Sequence, residues 1–173
     1  RSEYRLLHRQ DNADERLSAI GRRIGLVSDA QYAAVQEKYR AVAGEIRRLE
    51  ATGIPESAAL NALLTAKQTA PVRGSARLSD LVRRPQLAYD DLAPFDPTRP
   101  ALPAAVREAV EIQMKYAGYI ARQQKQVEEF RRAESRLLPP DIDYSEIQGL
   151  RVEARQKLSE IRPLSVGQAS RIS

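Results

Sequence analysis

Apolar side chains recur at helical spacing along most of the chain. One seam alternates steps of four and three residues and consists of Val35, Tyr39, Val42, Ile46 and Leu49. This spacing places all of them on one face of a helix of about 22 residues. Ser28 and Gln31 predict a capping box at its start, and Gly53 with Pro55 predicts its end.

A longer helix is predicted over residues 104–136, which contain no proline. Its buried stripe is expected to comprise Val106, Val110, Ala117, Ile120, Val127 and Phe130. At 1.5 Å per residue such a helix is about 50 Å long. Because a compact globule of this size has a radius of gyration of only about 16 Å, we expect an elongated domain.

Another helix is predicted near the start of the chain, over residues 11–24. Asp11 or Asn12 is expected to cap it, and Gly25 is expected to end it. Its apolar face consists of Leu17, Ile20 and Ile24.

Residues 143–173 predict a small C-terminal helical module. The spacing of Val152, Leu158 and Ile161 indicates a helix that ends before the proline at 163. A second helix is expected to begin with a capping box at Ser165, but the sequence stops before it can complete more than about two turns. We therefore expect a fragment of a longer protein.

The stretch between the longer helices, residues 52–103, holds most of the prolines and is rich in Ala, Thr and Ser. Short helices are predicted over residues 57–66 and 79–84. The remainder is expected to be a Pro-rich connection laid over the helices, since alternating runs with β-branched residues are missing. The predicted fold class is therefore all-α.

Charge and composition narrow the function classes. The chain has 173 residues, of which 28 are Lys or Arg and 23 are Asp or Glu, and its net charge is +5. Most of the basic residues are arginines, which suit bidentate contacts to phosphate. Nucleic acid is therefore an admissible partner, although a charge of +5 is shared by many soluble proteins.

Few residues are available for catalysis. Cysteine is absent and His8 is the only histidine, which excludes disulfides, thiol catalysis and the usual Cys/His zinc sites. His8 has no nucleophile nearby in the sequence, so a surface or interface position is favoured. Asp11 and Asp14 admit an acid–base pair, but helix capping is favoured. We predict no catalytic residue, no metal ligand and no membrane span.

Two basic features stand out, and the first is formed by Arg5, Arg9 and Arg16. If residues 3–9 are helical, Arg5 and Arg9 share a face, where like charges are destabilising unless an anion binds them. Alternatively, the arginines pair with the neighbouring carboxylates of Asp11, Asp14 and Glu15. The pattern leaves both interpretations open.

The second basic feature comprises Lys115, Tyr119 and Arg122, at positions i, i+4 and i+7 of the long helix. A basic stripe with an aromatic ring can hold phosphate and stack a base. A solvated face with one tyrosine is the alternative, and periodicity favours it. Gly118 lies inside this helix, where it costs about 1 kcal/mol relative to Ala. The glycine therefore indicates that another group approaches the helix backbone closely at this position, either a ligand or a packed helix.

Three strings resemble those of one enzyme family. Tyr4-Arg-Leu-Leu-His-Arg-Gln-Asp-Asn-Ala-Asp14 is similar to the family's Y-R-L-L-x-R-x-D-N-A-D. Lys115-Tyr-Ala-Gly-Tyr-Ile-Ala-Arg-Gln123 is similar to its K-Y-x-G-Y-I-x-R-Q, and Gly167-Gln-Ala-Ser-Arg-Ile172 follows its C-terminal pattern. The family is that of the FAD-dependent tRNA uridine 5-carboxymethylaminomethyl modification enzyme, MnmG or GidA. His8 and Arg151 depart from its usual residues.

The resemblance implies a cytoplasmic enzyme that modifies the wobble uridine of tRNA with FAD, NADH and methylene-tetrahydrofolate. It also implies a homodimer and a partner GTPase, MnmE. This chain would be the C-terminal helical part, which binds and does not itself catalyse or hold a cofactor. Residues 1–28 would form the junction to an FAD-binding part, residues 29–142 the helical domain, and residues 143–173 the module that contacts the GTPase.

Under the resemblance both basic features become candidates for tRNA binding, namely Arg5, Arg9, Arg16, Lys115, Tyr119 and Arg122. Asp11, Asn12 and Asp14 are then expected to orient the arginines at the junction. The alternative is a helical adaptor without RNA binding, which pairs as a coiled coil through the seams at residues 35–49 and 106–130.

Overall fold

A computed structural model describes residues 4–172. Residues 1–3 of the predicted junction and residue 173 of the predicted terminal module lie outside the described range. The α-helices are α1 (Ala13–Arg23), α2 (Asp29–Ala51), α3 (Ala58–Ala66), α4 (Leu78–Val82), α5 (Ala104–Ser135), α6 (Val152–Ile161) and α7 (Val166–Ser170). A 3-10 helix covers Tyr89–Phe95, and two strands are β1 (Gly53–Pro55) and β2 (Ser75–Arg77). The all-α prediction is confirmed, since the strands of the described residues form a single antiparallel pair.

The chain divides into two compact units. The central unit is His8–Ile120, and the terminal unit consists of the described residues up to Leu7 and from Ala121 onward. Helix α5 contributes its first half to the central unit and its second half to the terminal unit. The predicted long helix over residues 104–136 is confirmed to within one residue.

Helices α2 and α5 bury part of their predicted faces in the central unit. The side chain of Ser28 accepts a bond from the backbone of Gln31, which completes the predicted capping box of α2. On α5 the buried row steps by four residues through Val106, Val110 and Met114. The prediction that Ala117 is buried was wrong, because α5 leaves the core after Met114 and Ala117 is exposed.

The stretch over residues 52–103 forms much of the core and is not a layer over it, which corrects that expectation. Its predicted short helices are confirmed as α3 and α4, while β1 and β2 pair with Ile54 opposite Ala76. Its buried side chains are Ile54, Leu60, Leu64, Val72, Leu78, Leu81, Val82, Leu87, Tyr89 and Leu92. Fixed proline φ angles and short helices let this segment turn often, so its aliphatic residues reach the interior without a long amphipathic pattern.

A polar cluster lies within the core of the central unit. The Arg48 guanidinium donates to both carboxylate oxygens of Glu45 and to both oxygens of Asp96, and the Tyr89 hydroxyl donates to Glu45 at 2.7 Å. Burial would raise the pKa of Asp96, but bonds from Arg48 and Thr98 hold it below its ordinary value. Burial and the bond to Glu45 raise the pKa of Tyr89 to about 12. The cluster links α2 to the 3-10 helix and the residues that follow it.

Helix α1 packs on α2 through its polar side. Asp14 bonds to α2, and Ser18, one turn later, is buried. The predicted apolar face is exposed instead, with Leu17 at 51%, Ile20 at 46% and Ile24 at 61%. The described residues thus leave an aliphatic helix face in contact with water.

The terminal unit is built where α7 meets the end of α5. Ser165 caps α7 by accepting a bond from the Gln168 backbone at 3.1 Å, as predicted. A bridge joins Leu137 to Ser165, and a Cβ added at Gly167 would lie 2.9 Å from the backbone nitrogen of Glu134. Only glycine allows α7 to approach α5 this closely.

Candidate nucleic-acid interface

Arg9 lies in the turn that precedes α1. Its Nε donates to Oδ1 of Asp11 at 2.9 Å, and its Nη2 donates to Oδ2 at 3.0 Å. The bond from Arg9 holds the pKa of Asp11 below its ordinary value. The guanidinium also lies over the ring of Tyr116, 5.6 Å from its centre. Arg9 is therefore held in one orientation between a carboxylate and an aromatic ring.

Arg16 lies in the first turns of α1 and donates hydrogen bonds to the turn that precedes this helix. Its Nε donates to Oδ1 of Asn12 at 2.9 Å, and its Nη2 donates to the carbonyl of Arg9 at 3.3 Å. Its Nη1 lies 3.1 Å from Nδ1 of His8. Because a guanidinium only donates, Nδ1 of His8 is the acceptor in this contact.

Asp14 bonds to side chains of α2. It accepts from Nζ of Lys38 at 2.8 Å and from the hydroxyl of Tyr39 at 2.6 Å, both on α2. Burial would raise the pKa of Asp14, but the bonds from Lys38 and Tyr39 lower it. Of the three residues predicted to orient the arginines, the structure places Asp11 and Asn12 on Arg9 and Arg16 and places Asp14 on α2.

On α5, Lys115 and Tyr119 differ in their surroundings. Nζ of Lys115 donates to Oε1 of Glu111 at 2.7 Å, and the other oxygen of Glu111 accepts from the Tyr89 backbone at 2.8 Å. Lys115 is thus partly neutralised and partly buried. Tyr119 is 57% exposed, and its ring centre lies 6.4 Å from that of Tyr116.

Arg5 and Arg122 belong to the terminal unit, and both are exposed. The backbone of Leu7 donates to Oε1 of Gln123 at 3.1 Å, which attaches the segment that carries Arg5 to α5 beside Arg122. Sequence spacing does not reveal this attachment, because the two residues that form it are 116 positions apart.

Tyr116 is the residue that sequence reasoning missed. It was part of the K-Y-A-G-Y string but received no role, because it lies off the i, i+4, i+7 stripe. The contact with Arg9 joins it to one arginine of the first basic feature. The signal in the sequence that could have identified Tyr116 is its spacing from Tyr119, one helical turn later in the same string.

Other kinds of site are not found in the described residues. Among residues 4–172 no group of three or more His, Asp or Glu side chains is arranged to hold a metal ion. None of the described helices combines the length and apolarity that crossing a membrane requires.

Two family models match successive parts of the chain. Residues 29–124 match the tRNA modifying enzyme MnmG/GidA C-terminal helical domain, and residues 126–173 match the C-terminal helical bundle of the same enzyme. The chain belongs to the MnmG/GidA family. The boundary between the two MnmG/GidA models falls within α5, close to the boundary between the central and terminal units.

Relatives within the MnmG/GidA family match the whole chain. The tRNA uridine 5-carboxymethylaminomethyl modification enzyme MnmG of Caldicellulosiruptor saccharolyticus is 49% identical over 173 residues, and that of Bacillus subtilis is 44% identical. Two crystal forms of Aquifex aeolicus GidA are similar in fold, with TM-scores of 0.64 and 0.61 at 37% and 38% identity, and this chain covers 26% of each. The chain spans 28% of the length of the curated MnmG relatives that it matches.

Proposed function

We propose that this chain is the RNA-binding helical part of a tRNA-modifying enzyme that acts on uridine. The observation that carries the proposal is the match of MnmG enzymes over all of its residues, at 49% identity for the protein of C. saccharolyticus. By this likeness the parent enzyme builds the 5-carboxymethylaminomethyl group on the wobble uridine, in the cytoplasm and as a homodimer. It would draw on FAD, NADH and methylene-tetrahydrofolate.

The described residues do not fit FAD. A dinucleotide fold places the pyrophosphate on a Gly-rich turn between a parallel strand and a helix. Here β1 and β2 are antiparallel strands of three residues each, and Gly25 follows the end of α1. We therefore assign flavin binding to a part of the parent enzyme outside this chain, and no chemical step to the residues of this chain.

We assign tRNA phosphate contact first to Arg5 and Arg122. Both side chains are exposed, and the segment of Arg5 is attached to α5 beside Arg122. Arg9 and Arg16 are held by Asp11 and Asn12, so a phosphate contact at either would cost little side-chain entropy. Lys115 and Tyr119, in the central unit, are further candidates for tRNA contact.

Salt-dependent binding of a tRNA transcript to the full-length enzyme tests this assignment. Arg5→Gln and Arg122→Gln should each weaken binding and reduce the slope of log K against log salt by about one. Arg40→Gln is the matched control, because Arg40 is exposed on α2 and pairs with Glu37. Unchanged affinity and slope for both test variants would show that Arg5 and Arg122 do not contact tRNA.

The helical module at residues 143–173 is the proposed contact for the GTPase MnmE. An open, mostly apolar cleft of about 490 Å³ lies between α6 and α7, lined by Leu150, Ala154, Leu158, Val166, Ala169 and Ile172 among others. Val152 and Leu164 add apolar surface, since they are 71% and 67% exposed. Exposed aliphatic surface of this kind is typical of a protein contact.

Val152→Asp and Leu164→Asp in the full-length enzyme should abolish co-purification with MnmE while leaving the helical content unchanged. Ser159→Asp on the same helix α6 is the control for added charge. If both apolar variants retain MnmE at the wild-type level, the GTPase contact lies elsewhere.

Residues 1–28 are the proposed junction to the flavin-binding part. The aliphatic face of α1 supports this, because Leu17, Ile20 and Ile24 are exposed while the polar side of the helix is packed. Ile24→Asp should lower the melting temperature of the full-length enzyme but not that of residues 1–173 alone. Equal effects on both would place the face away from the junction.

The adaptor alternative loses the α2 seam and the first part of the α5 seam as pairing surfaces. The seams at residues 35–49 and 106–130 were its candidate coiled-coil contacts, but Val42, Leu49, Val106 and Val110 are buried in the core of the central unit. These side chains cannot also pair with a second copy unless the unit unfolds.

A further inference from the structure

Two tyrosine rings stand at the surface of α5, three residues apart. Tyr116 is 41% exposed and Tyr119 is 57% exposed. Their ring centres lie 6.4 Å apart, with an angle of 54° between the ring planes. Large aromatic rings normally bury much of their area, so an exposed pair of this kind indicates a surface that is covered when a ligand binds.

A fixed cation adjoins this pair. The guanidinium of Arg9 lies 5.6 Å from the ring centre of Tyr116, and two bonds to Asp11 set the orientation of its plane. An arginine stacked on an aromatic ring is a cation–π contact. Proteins that bind single-stranded nucleic acids present the same combination of Tyr rings and Arg guanidinium groups, and the bases stack on these planes.

We infer that Tyr116, Tyr119 and Arg9 form a stacking platform for an unpaired base of the bound RNA. The inference deepens the proposed function and rests on it. RNA is favoured over a protein partner because the chain belongs to a tRNA-modifying enzyme family and because Tyr and Arg planes stack on bases. The exposed face of α1, by contrast, is aliphatic and is of the type that protein contacts bury.

The test is binding of a tRNA transcript to the full-length enzyme carrying Tyr116→Leu or Tyr119→Leu. Each variant should lose about 5- to 150-fold in affinity, the range for one stacked base. The slope against salt should stay at the wild-type value, because no phosphate contact is removed. Tyr116→Phe and Tyr119→Phe keep the ring and should bind within about twofold of wild type.

Tyr32→Leu is the matched control, because Tyr32 also lies under an arginine, with Arg22 at 5.0 Å from its ring centre, but on α2. A second readout compares an RNA hairpin that has an unpaired loop with a blunt duplex of equal length. The Leu variants at 116 and 119 should lose affinity for the hairpin only.

Each outcome separates the platform from the proposed function. If the wild-type enzyme binds no tRNA, the proposed function fails. If it binds tRNA but the Leu variants at 116 and 119 match it, the platform alone is overturned. A lower melting temperature of these variants with unchanged tRNA affinity also overturns it, since the rings would then be a protein contact.

Discussion

The hydroxyl of Tyr89 donates a hydrogen bond to Oε1 of Glu45, with 2.7 Å between the two oxygens. Both residues are only 4% exposed. The bond joins the 3-10 helix to α2 inside the core, where Arg48 binds the same carboxylate. A buried carboxylate needs all its donors, because an unsatisfied polar group in the interior is costly.

Removal of this hydroxyl should destabilise the central unit. Tyr89→Phe is expected to lower the free energy of unfolding by about 1–2 kcal/mol, because Glu45 loses one donor without access to water. Urea unfolding followed by circular dichroism measures the change. Tyr32→Phe on the partly exposed side of α2 should change it by less than about 0.5 kcal/mol. Equal stability of the two variants would contradict the expected role of the buried bond.

Acid should weaken the same cluster through Asp96. Its pKa is lower in the folded state than in the unfolded chain, where the pKa of an Asp is about 3.9. The carboxylate therefore contributes its full stability above that value, and the contribution is lost as the pH falls through the lower folded pKa. Asp96→Asn should be less stable at neutral pH and should lose less stability than wild type below about pH 4. Parallel profiles of unfolding free energy against pH would contradict this.

Two glycines should respond to alanine in opposite ways. At Gly167 the added methyl group would lie 2.9 Å from the backbone of Glu134, so Gly167→Ala should destabilise the terminal unit by about 1–3 kcal/mol. At Gly118 nothing lies within 4 Å, so Gly118→Ala should stabilise α5 by about 1 kcal/mol. Thermal melts of the two variants beside wild type provide the comparison, and shifts of the same sign would refute it.

Asp14 should matter for the packing of α1 on α2. Asp14→Ala removes the acceptor of both Lys38 and Tyr39, and we expect a loss of about 1–2 kcal/mol. Glu37→Ala on the exposed side of α2 is the control, because surface pairs contribute little. Amide hydrogen exchange of α1 reports the local effect, and exchange as slow as in wild type would show that other contacts hold the helix.

The helices with strong periodicity or clear end signals were predictable. The capping box at Ser28, the side-chain cap at Ser165 and the proline-free run of α5 depend on residues close in sequence, so local physics suffices. The core contribution of residues 52–103 was not predictable, because its buried leucines lie on short helices and turns that show no period.

The candidate site shows the same division. Sequence strings identified Arg5, Arg9, Arg16, Lys115, Tyr119 and Arg122 as candidates, and their role in tRNA binding stays a prediction. That Arg9 meets Tyr116, and that Leu7 meets Gln123, depends on contacts between residues more than 100 positions apart. The sequence by itself determined the helices and the family, since both depend on local strings of residues. Only the tertiary structure decided which side of α1 is packed and which charges are neutralised, because those depend on side chains that folding brings together from distant positions.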